Sequence, residues 1–175
     1  MKILVVVDMQ NDFISGALGT PEAQAVLPRM VKYLRENDAD RLVFTADTHY
    51  AEEYMDTMEG KKLPVPHCFY PSWGWEIADD IQNIYGDDIG PIMKPTFGSV
   101  YLMDCIADIA IEADDLTIQF CGLCTDICVI SNAMLAKAYF PNATIQVLSD
   151  LCAGVTPESH ENALKAMAMC HIDII

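Results

Sequence analysis

The sequence predicts a three-layer α/β/α fold around a six-stranded parallel sheet. Three observations carry this expectation. Short β-branched runs alternate with amphipathic helical patterns along the chain, the order in which helical crossovers join parallel strands on both sheet faces. The 175 residues are 52% hydrophobic and 21% charged, which suits one sizeable core and not a disordered segment. No repeat, linker-like segment or low-complexity tract interrupts the pattern, so residues 1–175 are expected to form a single domain.

Residues 2–7 (KILVVV) read as a buried first strand. Thr20 can cap the next helix, with Pro21 at its first position and Val26, Leu27, Met30, Val31 and Leu34 forming one stripe. The second strand is 41–46 (RLVFTA), and the stretch from about 48 to 71 is too long for an ordinary connection, which suggests a functional loop. Ser72 can cap a helix carrying Ile77, Ile81 and Ile84. A short third strand is expected at about 89–93, and Ser99 then opens a helix with Leu102, Ile106 and Ile109. Residues 115–121 (DLTIQFC) read as strand four, 126–139 as a helix ended by Pro141-Asn142, and 144–149 (TIQVLS) as strand five. Thr156 and Pro157 start a last helix with Leu164, Met167 and Ala168, and 171–175 is the sixth strand.

A formal net charge of -16 argues against nucleic acid and against an anionic membrane surface as partners. No run approaches the roughly 18 apolar residues that a membrane span needs. Met1 to Val7 is too short for a secretory signal, and Asp8 follows at once. Seven cysteines, an odd number, argue against a complete disulfide framework and suit a reducing cytoplasm. Met134, Met167 and Met169 can face the core or a subunit interface, so a homo-oligomer stays open.

In a parallel sheet of this kind, ligands bind beyond the carboxyl ends of the strands. Asp8 follows strand one, Asp47 strand two, Lys94 strand three, and the segment Gly122 to Cys128 strand four. Thr125 or Asp126 can cap the helix after strand four, which leaves Cys128 in its first turn. The free N–H groups and positive dipole end there favour a thiolate and can hold an oxyanion. Taken alone, Cys128 reads as a packing residue more often than a catalytic one, while Asp8 reads equally as a cap or turn residue. Lys94 changes the balance, because a lysine is rarely buried without an acidic partner and Asp8 is at hand. A base, its cationic partner and a thiol then meet at one edge.

Three segments, VVVDMQNDF at 5–13, KPTFGS at 94–99 and GLCTDICV at 122–129, resemble the isochorismatase-like cysteine hydrolases, especially the nicotinamidase-like branch. The resemblance runs in order over essentially the whole chain and implies the isochorismatase-like hydrolase fold. It also implies a catalytic triad of Asp8, Lys94 and Cys128. A cis peptide is implied at Leu123–Cys124, with the N–H groups of Cys124 and Cys128 as an oxyanion hole. Asp8 would take the thiol proton and return it to a leaving ammonia, and Lys94 would keep Asp8 ionised. Cys128 would attack the carbonyl or imidate carbon, and water would hydrolyse the thioester.

Residues two apart in an extended segment point to the same side, so Asp47 and His49 can share one ion. His67 follows inside LPVPHC, where prolines hold the backbone. Nicotinamidases bind a divalent ion through an Asp-x-His pair, a later His and one further ligand. The resemblance therefore implies Asp47, His49 and His67, with Glu59 as the fourth ligand. The His often found six positions after the first ligand is Met55 here, and Glu52 and Glu53 are the other candidates. Mixed N/O ligation suits Zn, with Mn or Fe as alternatives. In the family the ion holds the pyridine nitrogen of the substrate. Phe13 and Tyr101 are the implied aromatic walls of the pocket. The family's Trp three residues before the last ligand is Pro64 here, with Trp73 or Trp75 as replacements.

The function implied is a metal-containing cysteine amidohydrolase acting on a small-molecule amide, nicotinamide foremost, in NAD salvage. The alternatives are another small amide, a carbamoyl compound, an isochorismate-type vinyl ether, or a non-catalytic binding member of the fold. The isochorismate branch generally lacks the metal ligands. A zinc knuckle of Cys121, Cys124 and Cys128 is disfavoured because strand and helix divide them. A receiver-type domain needs an acceptor Asp where Lys94 stands. A phosphatase of the aspartyl-phosphate type needs a second Asp at Gln10.

Overall fold

The run Lys2–Val7 forms strand β1, and Ile3 to Val7 expose no surface. Its position explains this burial: β2 (Arg41–Asp47) pairs along one side and β4 (Thr117–Leu123) along the other, both parallel. The computed structural model describes residues 1–85 and 90–175. The remaining strands are β3 (Ile92–Lys94), β5 (Thr144–Ala153) and β6 (Asp173–Ile174), and all pairs are parallel in the order β3-β2-β1-β4-β5-β6. The chain first winds outward from β1 to β3, then returns to the other side of β1 and winds out to β6. The reversal puts a crevice beyond the carboxyl ends of β1 and β4, where open α/β sheets bind their ligands.

The helices are α1 (Asn11–Ile14), α2 (Pro21–Glu36), α3 (Met58–Lys62), α4 (Asp79–Tyr85), α5 (Val100–Ile109), α6 (Ile130–Tyr139) and α7 (Pro157–Met169). They pack as two sets, α1, α2 and α4 in one and α5, α6 and α7 in the other, as helices covering both faces of a parallel sheet must. The expected caps are present on α2 and α5: Thr20 accepts from the Ala23 N–H and Ser99 from the Leu102 N–H. Val26, Met30 and Leu34 of α2 are buried, with Leu27 and Val31 packed beside them.

Four expectations need correction. The helix after Ser72 starts only at Asp79, because Asn11 and Asp12 donate backbone hydrogen bonds to the carbonyls of Glu76 and Gly74 and hold that segment against α1. Ile77 instead forms a bridge with Gln10. The strand expected over 89–93 is Ile92–Lys94, with residue 89 outside the described residues. The fifth strand continues past residue 149 to Ala153, after a register shift against β4 between Phe120 and Gly122. Finally, the helix expected from Asp126 begins as a π-helical turn, Thr125–Val129, which leads into α6. No helix among the described residues is long and apolar enough to cross a membrane.

Candidate active site

Asp8 leaves β1 with φ 47°, a left-handed conformation that Asp visits more readily than most side chains. The Thr45 hydroxyl donates to Asp8 Oδ1 at 2.6 Å. Asp8 Oδ2 lies 2.7 Å from Lys94 Nζ, yet it makes no hydrogen bond of good alignment. The Asp8 carboxylate also acts on the neighbouring Cys128 thiol. Lys94, the last residue of β3, is fully buried. Its ammonium also meets Asp47 Oδ1 and the Thr96 carbonyl, each at 3.2 Å, and Cys128 Sγ at 3.4 Å.

The third member arrives on β4. Gly122 has φ 116°, and a Cβ there would lie 2.1 Å from the Val7 carbonyl oxygen. Only glycine allows β4 to pass so close to β1 just before Asp8. The Leu123–Cys124 peptide is cis, and the π-helical turn then carries Cys128 toward Lys94. Neither expected cap acts as one. The Thr125 hydroxyl pairs with His160 Nδ1 at 2.8 Å, and the Asp126 carboxylate accepts from the Val155 N–H. Asn132 braces the other end of the turn. Its Nδ2 donates to the carbonyls of Cys128 and Phe97, and its Oδ1 accepts from the Ser99 N–H.

Burial pushes the Cys128 thiol well up, the charge of Asp8 adds to the rise, and Lys94 opposes both. Burial thus works against the thiolate expected from the helix start, and Cys128 would need a base beside it to act as a nucleophile. Burial also raises the Asp8 carboxyl, and Lys94 offsets that rise without cancelling it. Lys94 itself stays cationic, since Asp8, Cys128 and Asp47 outweigh its burial.

Beside this group, Asp47, His49, Glu59 and His67 each offer one ligand atom, and these atoms lie within 4.8 Å of one another. Asp47 ends β2. The chain then runs on beside Phe69, with the His49 N–H donating to the Cys68 carbonyl and the Tyr70 N–H to the His49 carbonyl, and the rings of His49 and His67 lie 4.9 Å apart. Glu59 stands in α3, which Thr57 starts by accepting from the Gly60 N–H. His49 Nε2 lies 3.0 Å from Asp47 Oδ2 and 3.5 Å from Glu59 Oε1. His67 Nε2 lies 3.6 Å from each of the same two oxygens. Ligands about 2.0–2.1 Å from a tetrahedral ion are about 3.3 Å apart, so this spacing fits one cation. His67 Nδ1 is 2.8 Å from the Val65 carbonyl. A carbonyl only accepts, so Nδ1 carries the proton and Nε2 is the bare ligand atom.

The carboxylates hold the His49 imidazole up at about 9 and that of His67 at about 10, although burial alone would lower both. Asp47 and Glu59 are held below the usual carboxylate range against the pull of burial. The cluster thus calls for positive charge at its centre, from imidazole protons or from a divalent ion. Glu52, Glu53 and Met55 are exposed and lie outside it.

Phe13 is buried with its ring 5.8 Å from that of His67. Tyr101 is not placed as expected. It is 65% exposed on α5, its phenol turns to Cys105 one turn on, and it forms no buried wall. Neither tryptophan replaces the missing one. Trp73 is exposed, and Trp75 acts from behind, its indole N–H donating to Thr48 Oγ1 between two of the clustered residues. The aromatic residue beside the cluster is Tyr54, fully buried, with ring centres 4.7 Å from His49 and 5.3 Å from His67. It lies in the long loop, where no periodicity marked it. Gln10 was also missed: its buried amide accepts from the Asp47 N–H and donates to the carbonyls of Asp47 and Trp75. Cys121, Cys124 and Cys128 form no metal-ligand group among the described residues, and Cys121 packs in the core against Met30. A cavity of about 270 Å³, lined by Met58, Glu59, Lys62, Leu63, Thr96 and Phe97, opens between the cluster and the loop after Lys94.

The isochorismatase domain model matches residues 2–175. A nicotinamidase of Saccharomyces cerevisiae is 32% identical over 111 residues, covering 47% of this chain and 51% of that protein, so this match spans about half of the yeast enzyme. A nicotinamidase/pyrazinamidase of Mycobacterium tuberculosis is 25% identical over 189 aligned positions, covering 100% of this chain and 98% of that one. The crystal structure of a pyrazinamidase of Pyrococcus horikoshii in complex with zinc superposes with a TM-score of 0.79 at 27% identity, covering 99% and 98% of the two chains. With the family model spanning nearly every residue and the six-stranded parallel sheet shared, this chain belongs to the isochorismatase family.

Proposed function

We propose that this chain is a cysteine amidohydrolase of the nicotinamidase type, converting nicotinamide to nicotinate and ammonia as a single cytoplasmic domain in NAD salvage. One observation carries the reading: Lys94 touches Asp8, Cys128 and Asp47 at once, which joins a thiol–base pair to a four-donor cluster. Asp47, His49, Glu59 and His67 are the residues that would hold a divalent ion, zinc foremost. Bound there, such an ion supplies a Lewis-acid contact for the ring nitrogen of the substrate. Phe13 packs against the ring.

The chemistry of the chain's own residues follows. The Asp8 carboxylate takes the Cys128 proton as the sulfur bonds to the carboxamide carbon. The N–H groups of Cys124 and Cys128 hold the oxyanion. Asp8 then gives the proton to the amide nitrogen, the C–N bond breaks and ammonia leaves a thioester on Cys128. Asp8 next takes a proton from water while the hydroxide adds to the thioester carbon. The C–S bond breaks, and Asp8 returns the proton to the sulfur. Lys94 steadies the carboxylate throughout.

The clustered ligands speak against the vinyl-ether reading, and the complete triad speaks against a non-catalytic member. The test is ammonia release from nicotinamide and a small amide panel, with and without chelator, for the wild type and Cys128→Ala. Activity that needs both the metal and Cys128 is expected. A metal-loaded wild type that releases no ammonia from any amide ends the assignment, and full activity in Cys128→Ala ends the mechanism.

A further inference from the structure

Thr125 opens the turn that carries Cys128 and exposes no surface. A hydroxyl at that depth needs a partner, and its partner comes from outside the β4–α6 unit. Thr125 Oγ1 lies 2.8 Å from Nδ1 of His160, on α7.

His160 is placed by its own local sequence. Thr156 accepts from the Ser159 N–H, Ser159 accepts from the Thr156 N–H, and Pro157 takes the first helical position. This capping box fixes the start of α7 and puts His160 in its first turn, where its N–H donates to the Thr156 carbonyl at 3.0 Å. A Cβ on Gly154 would lie 2.8 Å from the His160 backbone nitrogen, so glycine lets the end of β5 pass close beneath that turn. The neighbouring Val155 N–H donates to Asp126. The nucleophile turn is thereby held at residues 125 and 126 from one segment, and at Cys128 by Asn132. Beyond Thr125, His160 lines a separate cavity of about 220 Å³ with Glu22, Arg29 and Cys152, and it does not reach the triad.

We propose that His160 is a positioning residue that acts through Thr125 to set the orientation of the turn presenting the Cys128 sulfur and the N–H groups of Cys124 and Cys128. The φ and ψ angles of Thr125 govern where those groups point, and the His160 contact is what ties its side chain. The groups act on charge that develops in the transition state, so a loosened tether lowers kcat and leaves KM nearly unchanged. The activity assay rests on the amidohydrolase reading, while the tether itself does not.

The experiment measures steady-state ammonia release for four variants with the metal-loaded enzyme. His160→Ala is expected to lower kcat about tenfold, a fraction of what a fully misplaced group costs, with KM within twofold. Thr125→Val is expected to match it, and the double variant to fall no further than either single change. His160→Asn, whose amide reaches the place of Nδ1, is expected to restore most of kcat. A contact serving stability alone would lower the thermal midpoint and leave kcat in place. A kcat for His160→Ala within twofold of wild type, or losses that multiply in the double variant, overturns the proposal. If His160→Ala does not fold, Thr125→Val against His160→Asn decides it: the first must lose kcat and the second keep it. If the wild type releases no ammonia, the amidohydrolase reading fails and the tether is judged on alkylation of Cys128 by iodoacetamide, followed by peptide mass. A threefold or larger change in rate in His160→Ala that His160→Asn reverses supports the tether, and an unchanged rate overturns it.

Discussion

On the thiol side of the cleft, Asp8 and Lys94 expose no surface and Cys128 only 4%, and each stands at or just beyond the end of a strand. On the other side only Asp47 ends a strand, while His49 and His67 come from the connection that follows it and Glu59 from α3 within that connection. The sheet ladder fixes Asp8 and Lys94, and the braced turn after β4 presents Cys128. The second group depends on a few tethers: Gln10 on Asp47, Trp75 on Thr48, and Asp12, whose Oδ2 accepts from the Cys68 N–H at 2.7 Å. Asp47 joins the two sides, with Oδ1 on Lys94 and Oδ2 on the imidazoles. The thiol side is thus placed mainly by the sheet edge, whereas the ligand side depends on contacts from neighbouring segments.

Cys128→Ala should produce the largest change, a loss of at least about 10³-fold in kcat/KM, as expected when a covalent nucleophile is removed. Metal content measured by elemental analysis should stay at the wild-type level. A parallel loss of metal would break the separation between the two sides. His67→Ala should do the reverse, lowering metal content and reducing kcat/KM by more than about 100-fold, beyond the range for a supporting residue. The thiol should remain alkylable.

Lys94→Met tests the bridge. It leaves Asp8 and Asp47 buried without their cation, so denaturant unfolding should show a loss of about 3–5 kcal/mol together with loss of activity. A stability within about 1 kcal/mol of wild type would mean that the two sides do not depend on Lys94. A gentler probe is pH. Asp8 acts as a base only when ionised, and burial raises its carboxyl. The acid limb of kcat/KM should therefore lie above the ordinary aspartate value of about 3.9, with activity rising as pH increases through it. A limb at or below that value would show that Lys94 wins over burial. The smallest effect belongs to a loop support. Tyr54→Phe removes the hydroxyl that donates to the Leu63 carbonyl at 2.7 Å and keeps the ring beside the imidazoles, so stability should fall by about 0.5–1.5 kcal/mol with metal affinity little changed.

The same division explains what could be read from the chain alone. Asp8, Lys94 and Cys128 were legible because alternating runs locate strand ends, and strand ends of a parallel sheet share one edge. Asp47, His49 and His67 were legible by spacing, and Glu59 only by resemblance. Tyr54, Gln10 and Asn132 carried no signal, since each acts through a contact between segments distant in sequence. Tyr101 was misplaced because its spacing from Lys94 does not say which way a helix turns its first residues. The helix expected after Ser72 failed because backbone hydrogen bonds from α1 captured that segment.

By itself the sequence determined the α/β/α class, the parallel sheet and the edge where Asp8, Lys94 and Cys128 gather, because periodicity and capping act over a few residues. Only the tertiary structure decided that burial pushes the Cys128 thiol up, that Lys94 meets both sides of the cleft, and that Thr125 is held from α7 rather than capping its own helix. Those outcomes depend on desolvation and on contacts between elements, and neither exists until the sheet has closed around the site.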